Sequence, residues 1–173
     1  AADFGFSDAD SGDTLHSITI VTAPTAGELF IDANNNGVRD SGDTLLGDGA
    51  VVSAANMGKL TFRPTANANG AAYASFTWKV SDGTALSGNT GTMTLNVTPI
   101  NDAPVIGNTS VSKTFNEDSA QTFSAADFGF SDADSGDTLQ SITIVTAPTA
   151  GELFIDANGD GVRDVGDTLL GDG

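Results

Sequence analysis

The sequence predicts an all-β fold, in which short strands form Greek-key β-sandwich modules joined in tandem. Three observations support this prediction. Short runs of residues alternate between apolar and polar side chains or are rich in β-branched residues. Turn-forming Gly, Asn, Asp and Pro residues separate these runs. A long segment occurs twice, and no stretch has the sustained 3.6-residue apolar period of a helix.

The predicted strands are five runs in the first part of the chain and two that recur in the second copy of the repeat. Between them lie stretches such as TAPTAG and ANANG, in which glycine permits positive φ and asparagine forms local turns. The segment VVSAANMGK, residues 51–59, could form one helical turn. The predicted strands cover residues 15–21, 27–32, 59–64, 73–81, 92–98, 138–145 and 151–156.

Residues 1–49 and 125–173 are near copies of each other, with a period of 124 residues. Such uniformity indicates a recently amplified tandem array, which suits a spacer better than a pair of specialised catalytic domains. The copies differ only at the pairs His16/Gln140, Asn35/Gly159, Asn36/Asp160 and Ser41/Val165.

The segment PINDAPV, residues 99–105, is the predicted module junction. Its two prolines remove main-chain donors and favour extended backbone, so a β-ladder should end there. We therefore expect a first module at residues 1–100 that lacks its first strand, a junction linker at 101–104, and the first part of the next module at 105–173.

Charge and composition limit the partners that the chain can have. The chain has 23 acidic and 6 basic residues, a formal net charge of −17, and no cysteine. We expect no nucleic-acid binding and no membrane insertion, because phosphates repel such a surface and no apolar run approaches the ~20 residues of a membrane span. Disulfides and thiolate metal sites are excluded. Divalent cations are the expected partners.

The side-chain pairs of common hydrolases are missing from the sequence. The single histidine, His16, is replaced by Gln140 in the other copy. Paired carboxylates occur in glycosidases, but here they lie in segments whose Gly and Asn spacing suits a cation better. We therefore expect no enzymatic activity.

Two twelve-residue segments, DANNNGVRDSGD and DANGDGVRDVGD, have the spacing of a calcium-binding loop. Oxygen-bearing side chains stand at positions one, three, five, nine and twelve, glycine stands at six, and position seven offers a main-chain carbonyl. Calcium takes roughly six to eight oxygen ligands, which such a loop can supply. The predicted ligands are Asp32, Asn34, Asn36, Val38, Asp40 and Asp43 in the first loop and Asp156, Asn158, Asp160, Val162, Asp164 and Asp167 in the second.

These segments resemble the EF-hand calcium loop, with two departures. Position twelve is Asp43 or Asp167, where EF-hands prefer a bidentate glutamate, and no amphipathic helices flank the segments. We expect each loop at a β-hairpin tip, with a dissociation constant on the order of 10⁻⁴ to 10⁻³ M, as in extracellular modules. The first loop should bind more weakly, since Asn36 replaces Asp160. Alternatively, both segments are polar turns that bind no metal.

The segment FSDADSGDTL also occurs twice and is the second candidate metal site. In a strand, residues i and i+2 face the same side, so a DxD pair brings two carboxylates together. Such carboxylates repel each other unless a cation lies between them. The acidic residues are Asp8, Asp10 and Asp13 in the first copy and Asp132, Asp134 and Asp137 in the second.

This segment, with several others, is similar to a cadherin-like (Ig-like) repeat of large bacterial adhesins of the RTX type. The other motifs are NEDS at 116–119, NANG at 67–70, FTWKVSDG at 76–83 and NDAP at 101–104. In that family calcium lies between successive modules, held by an early acidic residue, the DxD pair and the junction Asn-Asp. The resemblance therefore implies the ligands Glu117, Asp132, Asp134, Asn101 and Asp102. Alternatively, the junction is an ordinary Asx turn before proline.

These features predict a calcium-binding spacer repeat of a large secreted or cell-surface bacterial adhesin or filament. Calcium is the expected cofactor, and neighbouring repeats of the same chain or filament are the expected partners. In one alternative, Trp78 and Tyr73, with Phe62 and Phe76, form a stacking platform for sugars, or the module binds a host protein. In another, modules assemble into filaments head to tail or by strand donation.

Overall fold

The computed structural model describes residues 2–173; Ala1, with which the predicted first module begins, lies outside the described residues. The chain divides into two compact units, Ala1–Ile100 and Asn101–Gly173. The described residues form mainly β-structure, with short 3-10 helices at Ala2–Phe4, Ala54–Lys59 and Ala125–Phe128. None of the helices in this described part of the chain is long or apolar enough to span a bilayer.

The first unit contains two antiparallel sheets formed by seven strands. The bounds are β1 Ser17–Thr22, β2 Glu28–Ile31, β3 Thr44–Leu45, β4 Val51–Ser53, β5 Leu60–Arg63, β6 Gly70–Ser81 and β7 Gly91–Val97. One sheet has the order β4-β1-β6-β7 and the other the order β3-β2-β5. The five runs predicted in this unit lie on β1, β2, β5, β6 and β7. Of the helical turn predicted at residues 51–59, Ala54–Lys59 forms the second 3-10 helix, whereas Val51–Ser53 is strand β4.

One apolar core joins the elements of the first unit. On β6 the buried side chains alternate, since Ala74, Phe76 and Trp78 are buried, as expected for a strand with one face toward the core. The Trp78 ring packs edge-on against Phe4, with 5.2 Å between ring centroids. The core cluster consists of Phe4, Ile18, Ile20, Leu29, Leu46, Val52, Met57, Phe76 and Trp78.

The second unit has four two-residue strands and no comparable core. Its strands are β8 Val105–Ile106, β9 Phe130–Ser131, β10 Phe154–Ile155 and β11 Thr168–Leu169. β8 pairs with β9 and β10 pairs with β11, both antiparallel. Every residue from 101 to 173 is described, and none of them is buried.

The strand predicted over residues 138–145 is not formed, and this prediction is wrong. The same segment SITIVT forms β1 in the first copy, where it lies between β4 and β6. Both of these partner strands come from residues 50–100, of which the sequence contains one copy. A single strand cannot satisfy its main-chain donors and acceptors without neighbours. The second copy of SITIVT is therefore not paired with another strand within the described residues.

Candidate metal sites

Each of the two twelve-residue segments lies at the tip of a β-hairpin. In the first copy Phe30 pairs with Leu45 and Ile31 with Thr44, so residues 32–43 connect β2 directly to β3. In the second copy β10 and β11 pair in the equivalent register and enclose residues 156–167. The hairpin therefore brings the first and last residues of each segment together.

Carboxylates at the two ends organise the first loop. Asp32 is only 2% exposed, and its Oδ1 and Oδ2 accept hydrogen bonds from the N–H groups of Asn36, at 3.2 Å, and Gly37, at 2.7 Å. Asp43 accepts bonds from the N–H groups of Ala33 and Asp40, both at 2.8 Å. The loop thus curls around the carboxylates at positions one and twelve.

Asp40 forms side-chain hydrogen bonds across the interior of the first loop. Its Oδ2 accepts bonds from the side-chain amides of Asn34, at 3.0 Å, and Asn36, at 3.2 Å. Two hydrogen bonds hold the pKa of Asp40 below its ordinary value. The bond from the N–H of Gly42 has the larger effect, and the bond from the Asn34 amide has the next largest. The position-five Asn36 Oδ1 accepts a bond from the N–H of Val38. A cation that used Asp40 as a ligand would have to replace the two amide donors.

In the second loop, as in the first, the carboxylates at positions one and twelve accept main-chain hydrogen bonds. The second loop also has one more carboxylate than the first. Asp156 accepts a bond from Gly161 N at 2.8 Å, and Asp167 accepts bonds from Ala157 N and Asp164 N, both at 2.9 Å. These two main-chain donors hold the pKa of Asp167 below its ordinary value.

The position-five residue gives the two loops different charges. The Asn158 amide nitrogen lies 3.1 Å from Asp160 Oδ2 and 3.4 Å from Asp164 Oδ2, so one neutral amide separates two carboxylates. Asp160 also accepts a bond from Val162 N at 2.8 Å. Since Asn36 occupies the position of Asp160 in the first loop, the second loop carries the greater negative charge.

The DxD segments form the two groups of three acidic residues that could hold a metal ion in the described part of the chain. In each group, one oxygen atom from every residue lies within 4.8 Å of the others. The aspartates are exposed in the first copy, whereas two of the three are half-buried in the second. The groups are Asp8, Asp10 and Asp13, and Asp132, Asp134 and Asp137.

A turn, not a strand, brings these carboxylates together. The N–H of Asp10 donates to Asp8 Oδ1 and the N–H of Asp134 donates to Asp132 Oδ1, both at 2.9 Å. The expectation that DxD would place its carboxylates on one face of a strand is therefore wrong, because side-chain hydrogen bonds to the main chain favour a local turn.

The second DxD group contacts the predicted junction residues. Asp102 N donates a 2.6 Å hydrogen bond to Asp134 Oδ2. Asn101, Asp102, Asp132 and Asp137 are among the residues that line a shallow cleft of about 400 Å³. Glu117 is exposed and is not among the residues that line this cleft. The structure thus brings together four of the five residues that the resemblance implied, within the second unit.

The donor atoms of these sites are all oxygen atoms. No protein-family model, curated protein or solved structure matches the chain. The candidate ligands are carboxylate, amide and main-chain oxygens, which suit hard cations such as calcium, magnesium or manganese. The sequence has no cysteine and one histidine, so the soft donor set of a zinc or copper site is missing.

The aromatic residues considered as a sugar platform do not form one open surface. Phe76 is 4% and Trp78 8% exposed, and both belong to the apolar core. The half-buried Tyr73 and Phe62 rings lie 6.4 Å apart, and the Tyr73 hydroxyl accepts a bond from Thr65 N. Two of the four rings are therefore buried in the core, and a third, that of Phe62, packs against it.

The ion pair between Lys113 and Asp127 was not anticipated from the sequence. Lys113 Nζ lies 2.6 Å from Asp127 Oδ1, and Asp127 Oδ2 accepts bonds from the N–H and hydroxyl of Ser124. The contact with Lys113, which has the largest effect, and the hydrogen bonds from Ser124 together lower the pKa of Asp127 to about 2. The Ser-x-x-Asp spacing ahead of the third 3-10 helix is the signal that could have predicted the Ser124 contact. No spacing in the local sequence predicts that Lys113 pairs with Asp127.

Proposed function

We propose that the chain is a calcium-binding structural repeat from the spacer region of a large extracellular bacterial protein, an adhesin or a filament. In this proposal each completed module is a cadherin-like β-sandwich, and calcium makes the array rigid. The observation that supports it most is the repeated twelve-residue segment, held at a hairpin tip in both copies with the same main-chain contacts to Asp43 and Asp167.

The proposed mechanism begins with repulsion between carboxylates. Each loop and each DxD turn places several aspartate side chains close together, and the repulsion between carboxylates raises the free energy of the folded chain when no cation is bound. Residues of the loops, with Asp32 and Asp156 at position one, would hold calcium, and the bound ion would neutralise this charge. Because the loop connects two paired strands, a bound ion would also fasten the hairpin.

The DxD turn of the second unit would have a different role. Asp102 belongs to the predicted junction, and it is already hydrogen-bonded to Asp134. A cation shared by Asp132, Asp134 and the junction residues would fix the path of the linker relative to the turn. Restricting this linker would stiffen the connection between successive modules in an array.

Calcium binding would couple folding to location. A ligand that binds only the folded state adds RT ln(1 + [L]/Kd) to the free energy of unfolding, about 2.7 kcal/mol at a hundredfold excess over Kd. Sites with dissociation constants on the order of 10⁻⁴ to 10⁻³ M fill only where calcium is abundant, as it is outside the cell. The module would then be most stable after secretion.

The test is thermal unfolding of the 173-residue chain during titration of calcium from a chelated state. The unfolding temperature should rise as calcium approaches millimolar concentration, and it should rise less in Asp156→Ala and Asp134→Ala. Asp3→Ala, which removes an exposed carboxylate outside both motifs, is the control for net charge. Magnesium at equal ionic strength is the control for screening. An unfolding temperature that does not respond to calcium would refute the proposal.

A further inference from the structure

Three asparagines of the chain are followed by glycine, and two of these pairs lie in the twelve-residue loops. An Asn-Gly pair can react with itself, because the glycine nitrogen can attack the side-chain carbonyl carbon of the asparagine and form a cyclic imide. Glycine permits this attack since it has no Cβ to crowd its nitrogen. The surroundings of each pair decide whether the folded chain promotes the reaction. The pairs are Asn36 with Gly37, Asn69 with Gly70, and Asn158 with Gly159.

In the first loop, the nitrogen of Gly37 is held by a buried carboxylate. The N–H of Gly37 donates a 2.7 Å hydrogen bond to Oδ2 of Asp32, which is only 2% exposed. A carboxylate in this position can accept the proton while the nitrogen forms its new bond, which is the role of a general base. A Cβ atom built on Gly37 would meet no atom within 4 Å. The space beside this residue is therefore open for the imide to form.

The side chain of Asn36 is held over the same peptide group. Its Oδ1 accepts a 2.7 Å hydrogen bond from the N–H of Val38, and its Nδ2 donates a 3.2 Å bond to Oδ2 of Asp40. The bond from Val38 folds the asparagine side chain back toward the Gly37 nitrogen, which lies between them in the chain. The same N–H can stabilise the negative charge that develops on Oδ1 during the attack, as the donors of an oxyanion hole do.

The second loop has the same arrangement around Asn158. The N–H of Gly159 donates a 2.6 Å bond to Oδ1 of Asp156. Asn158 Oδ1 accepts a 3.1 Å bond from the N–H of Asp160, two residues further on. The Asn-Gly pair stands at positions five and six of the first loop but at positions three and four of the second. In both loops, nevertheless, the aspartate at position one holds the glycine nitrogen.

Two other asparagines serve as comparisons. Asn34 Oδ1 also accepts a bond from the N–H two residues further on, at 3.1 Å, and its Nδ2 donates to Asp40 at 3.0 Å. The residue that follows it is Asn35, which has a side chain. Asn69 is exposed and is followed by Gly70, the first residue of β6. Asn34 is thus the control for position in the loop, and Asn69 is the control for the Asn-Gly sequence.

We propose that Asn36 and Asn158 are sites of spontaneous deamidation that the loops themselves promote. The glycine nitrogen forms a bond to Cγ, the bond from Cγ to Nδ2 breaks, and Nδ2 leaves as ammonia with the proton that the glycine nitrogen has lost. Water then opens the imide and gives aspartate or isoaspartate, each with a new carboxylate. At Asn36 the product has the charge that Asp160 gives the second loop. Only the resulting gain in calcium affinity rests on the proposed function.

Peptide mapping by mass spectrometry tests this proposal during incubation of the whole chain at neutral pH with chelator. In the folded chain, Asn36 and Asn158 should be converted on the order of tenfold faster than Asn69, because a base and an oxyanion donor act on them. Asn34 should be the slowest of the four. In urea, Asn36 and Asn69 should be converted at equal rates, since the loop contacts are then lost. The chelator makes the result independent of calcium binding.

Two substitutions test the carboxylates, and each is the control for the other. Asp32→Asn should slow the conversion of Asn36 to the rate of Asn69 and leave Asn158 unchanged, whereas Asp156→Asn should slow Asn158 alone. Fluorescence of Trp78, which lies in the core, checks that the first unit of Asp32→Asn is folded. Conversion of Asn36 that is slower in the folded chain than in urea would overturn the proposal, because the loop would then be protective. Equal rates at Asn36 and Asn69 in the folded chain would overturn it as well.

Discussion

The main-chain N–H of Asp102 donates a 2.6 Å hydrogen bond to a carboxylate oxygen of Asp134, which lies 32 residues further along the chain. This contact joins the predicted junction to the DxD turn and leaves Asp134 half-buried. Asp10, the equivalent residue of the first copy, is exposed. Two turns of identical local sequence therefore differ in their surroundings, and they should differ in their affinity for a cation.

The first prediction compares these two DxD turns. Asp134→Ala should reduce the calcium-dependent rise in unfolding temperature more than Asp10→Ala, because a half-buried carboxylate near Asp102 is less screened by solvent than an exposed one. Calorimetric titration of both variants measures the change in calcium stoichiometry and affinity. Equal losses in the two variants would show that the junction residues add nothing to the site.

The second prediction concerns position five of the hairpin loops. Calcium affinity in such loops depends on the number of charged ligands, so Asn36→Asp should tighten the first loop and Asp160→Asn should weaken the second, each on the order of tenfold in Kd. The two substitutions exchange the residues that the natural copies carry, so neither is expected to disturb the hairpin. Calcium titrations with an optical competitor measure both. A change of the same sign in both variants would contradict a charge-based effect.

The third prediction uses two glycines of the first unit that have positive φ, Gly27 and Gly49. Gly27→Ala should lower the free energy of unfolding of the first unit by about 2–4 kcal/mol, because the backbone has positive φ and the methyl group would collide with Arg63 and Phe62. Gly49→Ala places alanine at a similarly positive φ, but its methyl group would meet no atom within 4 Å, so its cost is backbone strain alone.

Urea unfolding followed by tryptophan fluorescence tests this difference. Trp78 is the only tryptophan and lies in the core of the first unit, so its signal reports on that unit. The midpoint should fall further in Gly27→Ala than in Gly49→Ala. A similar loss in both variants would show that backbone strain alone, without contact between β2 and β5, sets the cost.

Sequence patterns predicted those features whose determinants are local. The alternation of apolar residues located β1, β2, β5, β6 and β7, and the spacing of Gly, Asn and Asp placed both twelve-residue loops at hairpin tips. In these cases the interacting residues lie within one strand or one hairpin.

Features that depend on distant partners could not be predicted in the same way. The segment SITIVT is a strand at residues 17–22 but not at 141–146, although its sequence is the same. The contact of Asp102 with Asp134 was implied by resemblance to a family, whereas the pairing of Lys113 with Asp127 had no signal in local spacing. Long-range pairing depends on residues far away in the chain, and this information is not contained in any one motif.

The last prediction concerns the acid sensitivity of the Lys113–Asp127 pair. The pKa of Asp127 is about 2 in the folded chain, against an ordinary value of 3.8, and Lys113 is the main cause. Because the folded-state pKa is the lower one, the pair stabilises the second unit above pH 3.8, and this contribution is lost as the pH falls toward 2. Carboxyl NMR titration should show that Lys113→Met raises the pKa of Asp127 toward 3.8, whereas Lys113→Arg keeps it low. If Lys113→Met left the titration unchanged, the Ser124 hydrogen bonds alone would account for the low pKa, and the ion pair would have no part in stabilising this segment.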